Sequence, residues 1–178
     1  MIRIAAIYGV ISGTIVIIAM MLGLFASEGQ GFFSSEYFGY LIMLIALSMI
    51  FIGIKRYRDT ELGGIIKFLP AFGMGLMIAV IAAVMYVFIW EIYLFTSDYA
   101  FMNEYTASLI EAKKSAGISG AELQKFAAEM EEMKAGYAKP YIRIPMTFVE
   151  IFPMGLIIAL ISAAILRNPK ILPARGPA

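Results

Sequence analysis

The sequence predicts an all-α integral membrane protein, a four-helix transmembrane bundle with an extramembrane helical hairpin between helices three and four. Three observations carry that prediction. Four apolar stretches run at about 4–25, 37–54, 68–95 and 145–166, and each reaches the ~18–20 residues a helix needs to cross a ~30 Å hydrocarbon core. The residues are 61% hydrophobic and only 15% charged. The runs lack the alternation of barrel strands, and in lipid a spanning backbone must close its hydrogen bonds within a helix or a barrel. The 178 residues therefore form a single membrane domain, 1–178, with one helical segment outside the lipid at about 98–139.

The first span begins after Arg3 and contains Gly9-Val10-Ile11-Ser12-Gly13, a GxxxG spacing that lets a second helix approach closely. Its apolar run exceeds the ~7–15 residues of a signal-peptide core, so an uncleaved span is expected despite the small-residue site Phe25-Ala26-Ser27. The loop at 26–36 holds Glu28 and Glu36 and no basic residue. Span two ends at Lys55, Arg56, Arg58 and Asp59. These read as anchors of topology or of lipid head groups, with Asp59 pairing locally at helical spacing, and Gly63-Gly64 ends any continuous helix.

Span three carries Ala71, Gly75, Ala79 and Ala83 at four-residue intervals, and span four carries Gly155, Ala159 and Ala163. All read as helix-packing seams, because association in lipid depends on close van der Waals contact. Residues 75–83 and 155–163 agree at six of nine positions. Apolar nine-mers match easily, so packing is preferred here to the inverted repeat of a transporter. Between these spans, Ser119 and Glu122 have capping-box spacing. Leu123, Phe126, Ala127, Met130 and Met133 then line one helical stripe, with Gly136 as a stop and Pro140 and Pro145 disfavouring helix before span four.

Charge placement orients the chain. Arg3, Lys55, Arg56, Arg58, Lys67, Arg167, Lys170 and Arg175 fall on one side with only Asp59 and Glu61, while the other side holds eleven of the thirteen acids. The positive-inside rule then puts both termini in the cytoplasm and the 98–139 segment outside.

No cysteine and no histidine occurs, which removes disulfides, thiolate chemistry, the commonest general base and the commonest metal ligand. No GxxxxGK[ST] loop is present, and neither Asp59 nor Asp98 lies in a span to form an aspartyl dyad. No enzyme, metal, cofactor or nucleic-acid partner is expected. The residues that stand out are Glu91 near the outer end of span three and Glu150 in the first turns of span four, placed by antiparallel spans at similar depth. Intramembrane acids normally turn towards protein or a wet cavity. Pro153 frees a nearby backbone carbonyl, an arrangement found at ion sites in broken helices. The structural alternative pairs Glu150 with Arg143 or Tyr141, or lets it reach interfacial water. Trp90, Tyr86, Tyr93 and Tyr99 suit an aromatic belt.

Taken together, the stretch GIKRYRD…GG…F at 53–68, Gly73–Gly75, and Glu150…Pro153-Met154-Gly155-Leu156 resemble a bacterial membrane family, common in Bacteroidota, called domain of unknown function four-one-nine-nine. The resemblance covers essentially the whole chain. It implies four spans in a bacterial inner membrane and a periplasmic segment between spans three and four. It marks Arg56, Arg58, Asp59, Glu150 and Pro153 as shared positions and implies no activity. The expectation is a non-enzymatic structural, accessory or interaction protein, with lipid around it and a homo-oligomeric or a membrane or periplasmic protein partner. The alternative is a small oligomeric transporter or ion-coupled carrier using Glu91 and Glu150.

Overall fold

A computed structural model describes residues 1–26 and 36–174. Among them it contains seven helices and no strand. These are α1 (Ile2–Ala26), α2 (Glu36–Leu47), α3 (Met49–Glu61), α4 (Phe68–Thr96), α5 (Ala100–Ser115), α6 (Gly120–Tyr137) and α7 (Pro140–Leu166). Four stretches are long and apolar enough to cross a bilayer: Ile2–Met21, Gly39–Glu61, Phe68–Thr96 and Pro140–Leu166. Such a set marks a multi-pass membrane protein. The acidic loop around Glu28, Ser27 of the small-residue site, and Arg175 lie outside the described residues.

Several boundaries differ from the sequence expectation, each for a local reason. Span two continues past Ile54 to Glu61, because Arg58 is buried rather than solvated. The same span is interrupted at Ser48, whose hydroxyl donates to the Ile45 carbonyl at 2.6 Å, a back-bond that commonly bends helices. Pro140 opens α7 instead of preceding it. At the first helical position a proline loses no bond and its ring supplies a helical φ. Pro145 and Pro153 then sit inside a continuous helix. Ser119 does occupy the N-cap of α6 in extended conformation, but its side chain makes no cap hydrogen bond. Gly136 lies within the last turn, and Ala138 is the C-cap.

The contacts divide the chain into two compact units, Met1–Phe88 with Phe148–Ala178, and Ile89–Thr147. In the first unit the core is drawn from small and β-branched residues, including Ala46, Ile50, Ile54, Ile78, Ala82, Ala83, Ile151, Ala159 and Ala163, all essentially without exposure. Ser12 of α1 donates to the Ala46 carbonyl at 2.8 Å, in the turn before the Ser48 interruption. This gives a buried hydroxyl a partner that lipid could not supply.

The second unit packs α5 against α6 through the turn at Gly117, whose φ of +90 favours glycine. No residue of α6 is fully buried. The stripe Leu123, Phe126, Ala127, Met130 and Met133 is half-buried, while Glu129, Glu131 and Glu132 are exposed.

Candidate functional site

The strongest electrostatic arrangement in the second unit joins α4 to α7. Arg143 donates from Nε to Oε1 of Glu91 at 2.7 Å and from Nη2 to Oε2 at 2.6 Å. This is the paired, planar geometry that makes guanidinium–carboxylate contacts strong. The Arg143 side chain is 2% exposed and that of Glu91 26%. Its Nη1 donates to the carbonyls of Tyr137 and Ala138 at 3.1 and 3.4 Å, so the same guanidinium caps the C-terminus of α6, where the helix dipole favours a cation.

Aromatic rings complete this cluster. The guanidinium carbon lies 5.3 Å from the Tyr99 ring centre and 5.8 Å from that of Tyr137, within cation–π range. Trp90 donates to the Tyr137 hydroxyl at 2.6 Å and meets Phe101 edge-on at 4.8 Å. Asp98 and Tyr99 both adopt the left-handed region, at φ +51 and +56, and the Tyr99 amide closes back on the Leu94 carbonyl at 2.8 Å. Two non-glycine residues in that region cost about 1–2 kcal/mol each. The turn they form carries the Tyr99 ring to the arginine. Glu91 is thus committed to an ion pair, and Trp90 and Tyr99 have specific partners beyond a belt position.

In the first unit a second arginine repeats the device. Arg58 is fully buried. Its Nε donates to Asp59 Oδ1 at 2.7 Å, its Nη1 to the Ile171 and Leu166 carbonyls at 3.0 and 3.4 Å, and its Nη2 to the Leu172 carbonyl. It therefore caps α7 and fastens the chain that follows it, where Leu172 is held at φ +47. Asp59 also accepts from Lys55 one turn earlier, and no bond joins it to Arg56. A guanidinium occupied in this way has little left to offer a lipid head group. Of the expected anchors, Arg56 is exposed, Lys55 and Asp59 are half-buried, and Arg58 is an internal cap.

Glu150 is exposed on the surface of α7, and the Tyr86 hydroxyl donates to its Oε2 at 3.5 Å, the long limit of a hydrogen bond. Pro153, exposed one turn further on, does not break the helix, and Phe148 and Phe152 stack beside it with centres 5.0 Å apart.

The small residues lie where helices meet in the first unit. A Cβ on Gly9 would stand 2.7 Å from Ile81 Cβ, and one on Gly13 2.8 Å from Met85 Cβ. Gly75 faces Ala159 with 2.9 Å available for a Cβ, and Gly155 faces Ala79 with 2.9 Å, a reciprocal antiparallel contact between α4 and α7. A signal for this register is present in the chain. Gly75 follows Phe68 by seven residues as Ala159 precedes Leu166 by seven, and Glu91 and Arg143 are each twenty-three residues from those same ends. Counting inward from the charged ends of the spans would have matched Glu91 with Arg143. Nothing in spacing announces the bonds of Arg58 to backbone carbonyls more than a hundred residues away.

Residues 7–168 match the model of a family described as "Protein of unknown function (DUF4199)". No curated protein and no solved structure matches the chain.

Proposed function

The chain belongs to the DUF4199 family, and from that premise we propose that it is a non-enzymatic membrane protein acting through contact, its partner being a second copy of itself or another membrane or periplasmic protein. The setting in this reading is a bacterial inner membrane of the Bacteroidota type. Both termini are cytoplasmic, and α5 and α6 form a periplasmic hairpin. Charge placement supports that orientation.

The observation that carries the proposal is the placement of Glu150. It shares an exposed face of α7 with Val149, Ile157, Leu160 and Ile161, which are 40–60% exposed. Sixteen residues separate it from Leu166, about 24 Å at the helical rise, so it falls inside a ~30 Å apolar slab. A carboxylate facing bare lipid is costly there, and such residues turn towards protein. The glycine seams are already filled within the chain, which leaves this face for a partner.

The native chain lacks cysteine, so single-cysteine variants give a clean test. Ile157→Cys and Ile161→Cys are expected to form disulfide-linked species in native membranes, whereas Ile18→Cys on the exposed face of α1 is not. A protein that stays monomeric in all three, with no crosslinked partner, would overturn the proposal.

A second reading is favoured by the Tyr86 hydroxyl beside Glu150, which gives the carboxylate one further polar group. An oligomeric carrier would bind a cation or proton there. Glu91 drops out of that reading, since Arg143 occupies both its oxygens. Ion flux into liposomes that disappears with Glu150→Gln would establish the carrier in place of the contact protein.

A further inference from the structure

We propose that the charged end of the first unit is a docking surface for anionic phospholipid head groups, formed by Arg3, Arg56, Lys67, Arg167 and Lys170. All five are exposed, and among the described residues none of them forms an ion pair. Contacts within the unit bring their segments to one end of it. The Met1 ammonium pairs with Glu61 Oε2 at 2.7 Å, which ties the start of α1 to the end of α3. The Gly64 backbone leaves 3.0 Å for a Cβ before Ala174, which ties the α3–α4 loop to the tail.

Among the described residues the acids at this end, Asp59 and Glu61, are both occupied. Asp59 accepts from Lys55 and Arg58, and Glu61 takes the ammonium. Among the described residues the five cations are therefore left without a paired counter-charge, next to exposed Ile2, Ile65, Leu69 and Leu172. Cations at the end of an apolar bundle, rimmed by exposed aliphatic residues, match the phosphate layer of an anionic leaflet. Arg58 acts as a positioning residue. Its bonds to the Ile171 and Leu172 carbonyls fold the tail back and hold Lys170 at this end.

The inference depends on the four spans and on charge placement, not on the α7 contact reading. A monomeric protein that still selects anionic lipid would separate the two. The test reconstitutes the full chain and measures its preference for spin-labelled phosphatidylglycerol over phosphatidylcholine. The native protein is expected to prefer phosphatidylglycerol. Lys67→Gln or Lys170→Gln is expected to lower that preference by up to about fivefold at low ionic strength. Lys125→Gln, on the exposed surface of α6 in the second unit, should leave it unchanged. Arg58→Gln, with all five cations intact, should lower it as Lys170→Gln does, because the tail is released.

Raising NaCl to about 0.5 M should bring the preference towards unity, since exposed charges are screened within a few ångströms at such salt. That arm needs no variant to fold. No preference in the native protein, a preference that survives high salt, or a Lys125→Gln effect as large as that of Lys67→Gln would each overturn the proposal. If Arg58→Gln folds and keeps full preference, the positioning role is overturned.

Discussion

Replacing Glu91 with alanine is expected to destabilise the Ile89–Thr147 unit by about 3 kcal/mol, the low end of the ~3–5 kcal/mol for breaking a buried ion pair. The low end applies because Glu91 keeps 26% side-chain exposure and water screens part of the loss. The cost arises less from the lost attraction than from what remains. Arg143, 2% exposed, would keep its charge with only carbonyls and ring faces around it. The double variant Glu91→Ala with Arg143→Leu should therefore be more stable than Glu91→Ala alone, although it has lost more groups. Trp90 is the chain's single tryptophan and bonds Tyr137 beside the pair, so its fluorescence during thermal or denaturant unfolding reports on this unit. A double variant no more stable than the single one would show that the pair is not electrostatically coupled.

Gly155→Leu is expected to cost more than ~3 kcal/mol, above the usual ~1–3 kcal/mol range for overpacking. A Cβ there already stands 2.9 Å from Ala79 Cβ, and no rotamer moves an alanine aside. Helices α4 and α7 would have to separate, and the reciprocal contact of Gly75 with Ala159 would open with them. Gly73→Leu is the matched control, because nothing lies within 4 Å of a Cβ at that position. It should be neutral or slightly stabilising, since leucine is the better helix former. Unfolding in mixed micelles compares the two. Equal effects would mean that α4 and α7 do not meet along this seam.

Much of the fold was legible from the apolar runs because lipid imposes one simple requirement, a self-satisfied backbone over about 20 residues. The ends of the spans were less legible. Lys55, Arg56 and Arg58 read as the end of span two, yet α3 continues to Glu61 because the Arg58 charge is neutralised by Asp59 and carbonyls contributed by the far end of the chain. Pro140 and Pro145 read as interruptions, but the first opens α7 and the second falls within its early turns. A proline so near the start removes few bonds.

The candidate site divides in the same way. Glu91 and Glu150 were conspicuous as acids in apolar surroundings, and that much the composition reveals. Their partners depend on helix register. Glu91 takes Arg143, and Glu150 takes the Tyr86 hydroxyl and an open helix face. Register across a seam is set by which small residue meets which, and a four-residue repeat of glycine and alanine is compatible with several offsets. Only the helix ends distinguish among them.

Four crossings of the bilayer would put 98–139 on the side opposite both termini. Single cysteines at Ser119, in the turn before α6, and at Asn168, just beyond α7, are both exposed and read out the two faces directly. In sealed vesicles oriented with the 98–139 face outward, a membrane-impermeant maleimide is expected to label Ser119→Cys and to reach Asn168→Cys only after the membrane is opened. Labelling of both cysteines, or of neither, before the membrane is opened would contradict the four-span orientation.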